Sequence, residues 1–261
     1  MELKQNYVKL EIQEKVALVT MDHPPVNSLS PAVVDELDEV LRYLETQDQV
    51  LFVVLTGAGP KIFVAGADIK AMAGMNPEQA EQLAETGQRA LNRLEDMAKL
   101  TICAINGLAL GGGLELAMAC DLRICADHAK MGQPEINLGI IPGFGGTQRL
   151  PRIIGSARAL EMLLSGDPID AQTAYAWGLV NHVTSAEELL PKAMGLAKTV
   201  ASKAPVASAL IHSSVAEGLT KPLHQGLRLE VQNFHKVFAS EDKTEGITAF
   251  VEKRAAVWKG C

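Results

Sequence analysis

The stretch INGLALGGGLELAMACD, residues 105–121, contains the pattern that indicates the fold. An apolar segment from Ile102 to Leu110, broken at Asn106-Gly107, predicts a buried strand. Gly111-Gly112-Gly113 then leads into the apolar remainder of the quoted stretch, which predicts a helix, and Leu122–Ala126 predicts another strand. Strand, helix and strand in this order, with apolar strands, predict an α/β fold in which helices cover a parallel sheet.

The sequence before this stretch adds further strands and helices. Alternating or apolar runs predict strands at Val8–Ile12, Val16–Met21 and Leu51–Leu55. Ser30-Pro31 predicts a helix start, because serine is a common helix cap and proline fits the first helical position. A polar segment from about residue 77 to residue 97 predicts a second helix.

The sequence after about Asp167 is mainly helical in pattern. Helices are predicted over residues 170–178, 186–203, 205–217, 222–239 and 243–258. No linker rich in serine and glycine separates this part from the rest. We therefore expect a core at residues 1–195, which carries the candidate site, and a helical C-terminal region at residues 196–261 packed on it.

The overall charge limits the classes of partner. The formal net charge is −7 and the sequence pI is about 5.4. A protein that binds nucleic acid or an anionic membrane normally presents a basic face, so neither partner is expected. An anionic small ligand stays possible, because a few lysines and backbone amides suffice to bind one.

The cysteines and the N-terminus indicate a reduced compartment. The four cysteines form no paired CxxC motif, so buried free thiols are expected rather than zinc ligands or disulfides. The N-terminal residues MELKQNYVKLEI lack the apolar core of a signal peptide, and no apolar run approaches the ~18 residues of a membrane span. The expected location is the cytoplasm.

Two glycine motifs resemble nucleotide-binding loops but are incomplete. Gly57-Ala58-Gly59 and Gly143-Phe144-Gly145 each lack the third glycine of a dinucleotide-binding loop. The six histidines show no metal-binding spacing. The sequence therefore predicts neither a nucleotide cofactor nor a metal.

Glu115 is the most unusual residue of the quoted stretch. It is the only charged residue between Gly112 and Cys120. A glutamate is rarely buried without a partner, so it could escape to solvent or cap the first amides of its helix. Alternatively it is a general acid or base, with burial favouring its neutral form and the helix N-terminus its charged form.

Glu135 is the second candidate carboxylate. Pro134 keeps Gln133 extended and argues against a helix centred there, so Glu135 is expected to project from an irregular segment. It could also be an ordinary solvated carboxylate. Two carboxylates on either side of one point suit the addition of water to a double bond, because one polarises the water and the other protonates the neighbouring carbon.

The three consecutive glycines allow a ligand to approach the backbone N–H groups at a helix start. Tight packing of the helix on a strand explains such a triplet equally well. A second segment of small residues is Ala65-Gly66-Ala67-Asp68. If the two segments face each other, one amide from each could bind the same oxygen and form an oxyanion hole.

Taken in order, these segments resemble those of the enoyl-CoA hydratase/isomerase (crotonase) superfamily, most closely a monofunctional hydratase. The matching strings are FVAGADI at 63–69, INGLALGGGLELAMACD at 105–121 and MGQPEINLGIIPGFGGTQRLPR at 131–152, with softer matches PVNSLS at 25–30 and FVEKR at 250–254. The order and spacing also agree, so the resemblance covers nearly the whole chain.

The resemblance implies a crotonase-type spiral of ββα units. The helical C-terminal region would serve trimerisation and act as a lid, in a homotrimer or a homohexamer built as a dimer of trimers. Coenzyme A would enter only as part of the acyl-CoA substrate, without a separate cofactor. The implied role is in fatty acid metabolism, as in β-oxidation.

The resemblance also implies roles for individual residues. The amides of Ala67 and Gly112 would bind the thioester oxygen, and Glu115 and Glu135 would act on water and substrate. The coenzyme A moiety would run along Ala65, Ala67, Asp68, Ile69 and Lys70, with Lys70 either a phosphate contact or simply solvated. Gly143 would line the water and acyl end of the pocket, together with side chains from the helix near residues 77–97.

Both glutamates are expected in hydratases of this family, whereas many isomerases keep one or neither. The predicted reaction is therefore syn addition of water across C2=C3 of a 2-enoyl-CoA, with Glu115 mainly the base and Glu135 mainly the acid. Two alternatives remain. The first is another crotonase-type enzyme, such as an enoyl-CoA isomerase or a decarboxylase. The second is a non-catalytic scaffold or RNA-binding member of the fold.

Overall fold

The computed structural model of the protein describes Leu3 and Gln5–Cys261. Met1, Glu2 and Lys4, which contribute to the prediction that no signal peptide is present, lie outside these residues. Within the described part, the strands in chain order are β1 (Val8–Gln13), β2 (Val16–Met21), β3 (Phe52–Gly57), β4 (Ile62–Val64), β5 (Leu100–Ile105), β6 (Leu108–Leu110), β7 (Leu122–Ala126), β8 (Lys130–Gly132), β9 (Ile169–Asp170) and β10 (His182–Thr184).

The helices lie between and after these strands. In chain order they are α1 (Pro31–Glu45), α2 (Ile69–Met72), α3 (Pro77–Glu95), α4 (Gly112–Met118), α5 (Gly146–Ile154), α6 (Ser156–Ser165), α7 (Ala171–Trp177), α8 (Ala186–Ala201), α9 (Pro205–Leu219), α10 (Leu223–Phe238) and α11 (Glu241–Glu252). A 3₁₀ helix covers Pro134–Leu138.

The strands form two sheets, and the predicted α/β fold with parallel strands is confirmed. The larger sheet has the order β1-β2-β3-β5-β7-β10, and the smaller has the order β4-β6-β8-β9. The outermost pairs β1–β2 and β8–β9 are antiparallel. The pairs β2–β3, β5–β7, β7–β10, β4–β6 and β6–β8 are parallel. β3 is buried along its whole length, as expected for a strand whose sheet is covered on both faces.

The apolar stretch that predicts one strand forms two, β5 and β6, which belong to different sheets. The break lies at Asn106-Gly107, where the sequence indicates it. The Asn106 side chain accepts a hydrogen bond from Gly57 N at 3.0 Å and donates one to Ile62 O at 3.2 Å. A methyl group at Gly107 would collide with the carbonyl of Lys61, so only glycine allows this close crossing.

The start of α1 follows the sequence signal. Ser30 Oγ accepts a hydrogen bond from Val33 N, and Pro31 occupies the first turn. The helix buries an apolar face that includes Val34, Leu37 and Leu41. The prediction of buried free thiols is also confirmed for Cys103, Cys120 and Cys125, whereas Cys261 is exposed and free.

Some predicted boundaries are wrong. The helix predicted over residues 243–258 ends at Glu252, because Lys253 adopts a left-handed conformation with φ 56°. Beyond it the chain turns back, and Arg254 and Val257 N both bind the Glu245 carboxylate. α5 and α6 are not predicted by the sequence, since both follow glycines without a side-chain cap.

The chain divides into two compact units. The first contains residues 1–97 and 101–195, and the second contains residues 98–100 and 196–261. In the second unit α9 and α10 lie side by side, with Gly218 and Gly226 at a close approach, and Asn233 donates hydrogen bonds to Ser213 and Ser214. Among the described residues, no helix combines the length and apolar character needed to span a bilayer.

Candidate active site

Each glycine before Glu115 has a separate structural task. Gly111 has φ +50°, a conformation that L side chains rarely adopt. Gly113 approaches the carbonyl of Val64 on β4 so closely that a methyl group would collide with it. Tight packing of α4 on a strand therefore accounts for Gly113, while Gly111 and Gly112 face the candidate site.

The amides of Ala67 and Gly112 lie next to each other. A parallel bridge joins Leu29 to Ala67: Leu29 N donates to Gly66 O at 2.8 Å, and Asp68 N donates to Leu29 O at 3.3 Å. A methyl group at Gly112 would lie 3.6 Å from Ala67 N. Within the described chain neither the Ala67 nor the Gly112 amide has an acceptor, so both can bind a ligand oxygen.

Glu115 lies in the first turn of α4 and is only 2% exposed. Its Oε1 atom accepts hydrogen bonds from Phe144 N at 2.8 Å and from Gly146 N at 2.7 Å. It therefore neither escapes to solvent nor caps its own helix. Burial raises the pKa of Glu115 to about 7, the Gly146 amide opposes that change, and the nearby Glu135 carboxylate adds to it.

Glu135 lies on the 3₁₀ helix, so the expectation that it projects from an irregular segment is wrong, whereas Gln133 stays outside the helix at its N-cap. Proline occupies the first position of this short helix, where its missing N–H costs nothing. The side chain of Glu135 is half-buried and rests on Gly111, where a methyl group would lie 2.6 Å from Oε1. Burial raises the pKa of Glu135 above its ordinary value.

Gln133 supports Glu135 and is not among the residues predicted from the sequence. Gln133 is fully buried. With its amide nitrogen oriented towards the carboxylate, it donates to both oxygens of Glu135 at 3.1 Å. Glu115 is thus held by backbone amides and Glu135 by a side-chain amide.

The segment from Gly143 to Gly146 lies between Glu115 and α3. Gly143 O accepts a hydrogen bond from Gln88 Nε2 of α3 at 2.8 Å. The ring of buried Phe144 packs against Gly87 of α3 and reaches Gly112, where a methyl group would lie 3.4 Å from Cδ2. α3 therefore borders the candidate site, and its role in lining an acyl pocket stays a prediction.

The other candidate ligand contacts lie around the start of α2. Asp68 Oδ1 caps this helix by accepting hydrogen bonds from Lys70 N at 3.0 Å and Ala71 N at 3.3 Å. Ala65 N donates to Val26 O at 3.1 Å. Ile69 and Lys70 are exposed. Asp68 thus has a structural task, while Ile69 and Lys70 are accessible to a ligand.

The sequence does not predict the amides of Phe144 and Gly146 as partners of Glu115. These contacts join residues 29 and 31 positions apart. The only local signal is the glycine pair Gly145-Gly146, which exposes backbone at the start of α5. Among the described residues, no group of three or more histidine, cysteine or acidic side chains is arranged to hold a metal ion.

The arrangement combines two chemical functions. Both carboxyl groups have a raised pKa, about 7 for Glu115, and the Glu135 carboxylate contributes to the raised pKa of Glu115, which suits transfer of protons. Two adjacent backbone N–H groups without acceptors suit stabilisation of a negative oxygen. Together they suit a reaction in which negative charge develops on a carbonyl oxygen while protons move close by.

Comparison with known proteins gives consistent matches over nearly the full length. Residues 11–261 match the family model described as enoyl-CoA hydratase/isomerase. A short-chain-enoyl-CoA hydratase of Clostridium acetobutylicum is 43% identical, with 97% of each chain covered. A crotonyl-CoA hydratase of Syntrophomonas wolfei is 42% identical, with 95% of each covered. The crystal structure of an enoyl-CoA hydratase from Bacillus anthracis superposes with a TM-score of 0.94 at 40% identity, covering 98% of this chain and 100% of that one.

Proposed function

The chain belongs to the enoyl-CoA hydratase/isomerase family, and from this premise we propose how its residues catalyse the addition of water to a 2-enoyl-CoA thioester. The reaction is hydration of the C2=C3 double bond to give a 3-hydroxyacyl-CoA. One observation carries the proposal: two carboxyl groups of raised pKa lie beside two adjacent amides that have no acceptor among the described residues.

The amides of Ala67 and Gly112 bind the thioester oxygen. Their hydrogen bonds draw electrons from the conjugated double bond and make C3 electrophilic. When the oxygen of water bonds to C3, the electron pair of the double bond moves towards the thioester oxygen and forms an enolate. One donor in such a site typically contributes about 3 kcal/mol to the transition state.

Glu115 is the base in this proposal and Glu135 is the acid. Phe144 N and Gly146 N bind Oε1 of Glu115, which leaves its second oxygen to accept the proton of the attacking water. Glu135 delivers a proton to C2 as the enolate returns to a thioester. Its position on Gly111, with Gln133 donating to both of its oxygens, supports this role because it orients the carboxyl group. Proton exchange with solvent then restores both carboxyl groups.

Retention of both carboxyl groups supports hydration rather than isomerisation. An isomerase only moves a proton between carbons, whereas hydration requires a base for water and an acid for C2 in the same step. The names of the relatives support a short acyl chain, so we propose crotonyl-CoA as a substrate.

Incubation with crotonyl-CoA tests this function. The wild-type protein should remove the absorbance of the conjugated thioester and give a product heavier by one water. Glu115→Gln and Glu135→Gln should each lower kcat by about 10²–10⁴-fold, because each removes one acid–base group. Glu39→Gln is the control, since Glu39 is an exposed residue of α1.

Two results would contradict the proposal. A product of unchanged mass would identify an isomerase. A Glu115→Gln or Glu135→Gln protein with the kcat of the Glu39→Gln protein would show that the carboxyl groups are not the acid and base.

We also propose that the C-terminal helices assemble the protein into a trimer or hexamer. The same region would act as a lid over the active site. α9 and α10 expose large apolar residues, which include Leu219, Leu223, Val231 and Phe234. Exposed apolar surface of this extent indicates a contact with another chain. Light scattering should give the mass of a trimer or hexamer, and a monomeric mass would contradict the proposal.

Two further assignments concern coenzyme A and the location of the protein. Lys70 is exposed at the start of α2, where its ammonium can reach a phosphate of coenzyme A. Lys70→Met should then raise KM for crotonyl-CoA without changing kcat. The free buried thiols of Cys103, Cys120 and Cys125 support a reducing compartment such as the cytoplasm.

A further inference from the structure

Arg149 lies behind the segment that holds Glu115. It belongs to α5, and its side chain is 10% exposed. Its Nη1 atom donates a hydrogen bond to Phe144 O at 2.8 Å. Phe144 is therefore fixed at both ends of its backbone, because its N–H binds Glu115 and its carbonyl binds Arg149.

The other side of the guanidinium is anchored on α3. Nε donates to Glu95 Oε2 at 2.9 Å, and Nη2 donates to Glu95 Oε2 at 2.6 Å and to Asn92 Oδ1 at 2.7 Å. A planar guanidinium with several fixed donors can hold three acceptors in one geometry, which a lysine cannot do. Arg149 thus ties the segment of residues 144–146 to α3.

Gly145 is shaped around this contact. It has φ +111°, and a methyl group there would collide with Nη1 of Arg149. The turn at Gly145 brings Phe144 N and Gly146 N to the same oxygen of Glu115. The position of Arg149 and the conformation of this turn therefore depend on each other.

We propose that Arg149 is a positioning residue of the hydration reaction, which fixes the turn whose amides hold Glu115 and makes no contact with the substrate itself. This inference rests on the proposed role of Glu115 as the base. It adds a residue that acts only through Glu115 and the segment around it.

Arg149 also acts on Glu115 by its charge. Burial raises the pKa of Glu115, the Glu135 carboxylate raises it further, and the Arg149 guanidinium lowers it. The Glu95 carboxylate, which pairs with Arg149, is the other charge in this group. Removing the guanidinium should therefore raise the pKa of Glu115, and the base should then ionise only at higher pH.

Kinetics of Arg149→Met in the full-length protein test the proposal. We expect kcat to fall by about 10²-fold, because small displacements of a catalytic group are costly. KM should change by less than about twofold, since no substrate contact is lost. The acidic limb of the kcat–pH profile should move to higher pH. A merely structural role would not move this limb.

Two further variants separate geometry from charge. Arg149→Lys keeps the charge without the planar fork, so the acidic limb should return towards its wild-type position while kcat stays low. Arg152→Met is the matched control, since Arg152 is an exposed arginine on the same helix and its Nη1 binds Gln148. Its kcat and its pH profile should both match wild type.

Glu95→Gln keeps the test decisive if Arg149→Met does not fold. Glu95 is half-exposed, so its replacement should be tolerated, yet it weakens the anchor of Arg149. We expect kcat to fall several-fold at constant KM. The control for both variants is Arg152→Met. The inference is overturned if Arg149→Met has the same kcat and pH profile as this control while Glu115→Gln has lost its activity. If Arg149→Met does not fold, the same comparison is made with Glu95→Gln. An inactive wild-type protein would instead overturn the proposed function.

Discussion

Glu36 and Glu115 occupy similar environments in two regions of the molecule. Glu36, on α1, is 6% exposed, and its Oε1 accepts hydrogen bonds from Tyr7 N and Val8 N at 2.8 Å each. Glu115, on α4, is 2% exposed, and its Oε1 accepts two backbone hydrogen bonds of nearly the same length. Each carboxylate joins a helix to a distant segment of the chain.

The two residues differ in what surrounds them. The contacts of Glu36 attach the start of β1 to α1. Glu115 interacts with a second carboxyl group, Glu135, and its helix begins at the unpaired amide of Gly112. The comparison shows that burial and two backbone hydrogen bonds hold a carboxylate in place in both regions. Glu115 has in addition a second carboxyl group and an amide without an acceptor among the described residues nearby, as its proposed catalytic role requires.

The largest expected difference between the two regions is in catalysis. Glu115→Gln should lower kcat for crotonyl-CoA by about 10²–10⁴-fold, because the amide cannot accept the proton of water. Glu36→Gln keeps the same shape and an oxygen for its two N–H donors, so its kcat should stay within about twofold of wild type. Steady-state kinetics on both proteins check this. A similar loss in both would mean that Glu115 acts only by holding the chain together.

The next largest effect tests the oxyanion site. In Gly112→Ala the methyl group would lie 3.6 Å from Ala67 N and would fill the space intended for the thioester oxygen. We expect kcat to fall by about 10²–10³-fold, as for the loss of one donor. Gly74→Ala is the control, because a methyl group at Gly74 meets no atom within 4 Å. Turnover at the rate of the control would remove Gly112 from the site.

The half of the site around α4 could be predicted because its signals are local. Glu115 is a single charge in an apolar segment, and the glycine triplet directly precedes it. The parallel sheet follows in the same way from apolar strands that alternate with helices. These features depend only on residue type and spacing, and both can be read directly from the sequence.

The backbone amides that hold Glu115 could not be predicted, for a physical reason. Phe144 N and Gly146 N are backbone donors, and every residue except proline has one, so residue type does not mark them. Their contact with Glu115 depends on the conformation of Gly145 and on the start of α5, which no capping residue marks in the sequence. It also depends on the hydrogen bonds of Arg149 to Phe144 O and to Glu95 of α3. The end of α11 at Lys253 likewise depends on contacts of Arg254 and Val257 with Glu245. Only the folded chain brings these groups together.

The third effect concerns stability and its dependence on pH. Burial raises the pKa of Glu115 from 4.5 to about 7, so between these pH values the folded protein keeps a proton that the unfolded chain releases. The folded state then binds more protons, and the contribution of Glu115 to stability falls as pH rises through this window. Above it, the buried charge costs about 3 kcal/mol.

Glu115→Gln removes that cost. The free energy of unfolding of the variant, relative to wild type, should therefore grow by about 3 kcal/mol between pH 4.5 and pH 7. Urea unfolding of both proteins at several pH values checks this, and taking the difference cancels the other titrating groups. A difference that does not change with pH would mean that ionisation of Glu115 does not lower the free energy of unfolding.

The smallest expected effect belongs to Glu36. Glu36→Gln replaces a charged acceptor by a neutral one and leaves Tyr7 N and Val8 N with an oxygen, so unfolding should become easier by only about 1 kcal/mol. Amide exchange at Val8, which is fully buried, should speed up in proportion. The sign of the change in the free energy of unfolding distinguishes the two residues. At pH 8 the same replacement should destabilise the protein at Glu36, where it weakens two hydrogen bonds, and stabilise it at Glu115, where it removes a buried charge whose pKa is raised to about 7. If Glu36→Gln also stabilised the protein, any buried carboxylate held by two backbone amides would lower the free energy of unfolding. The destabilising effect of Glu115 would then no longer indicate a function.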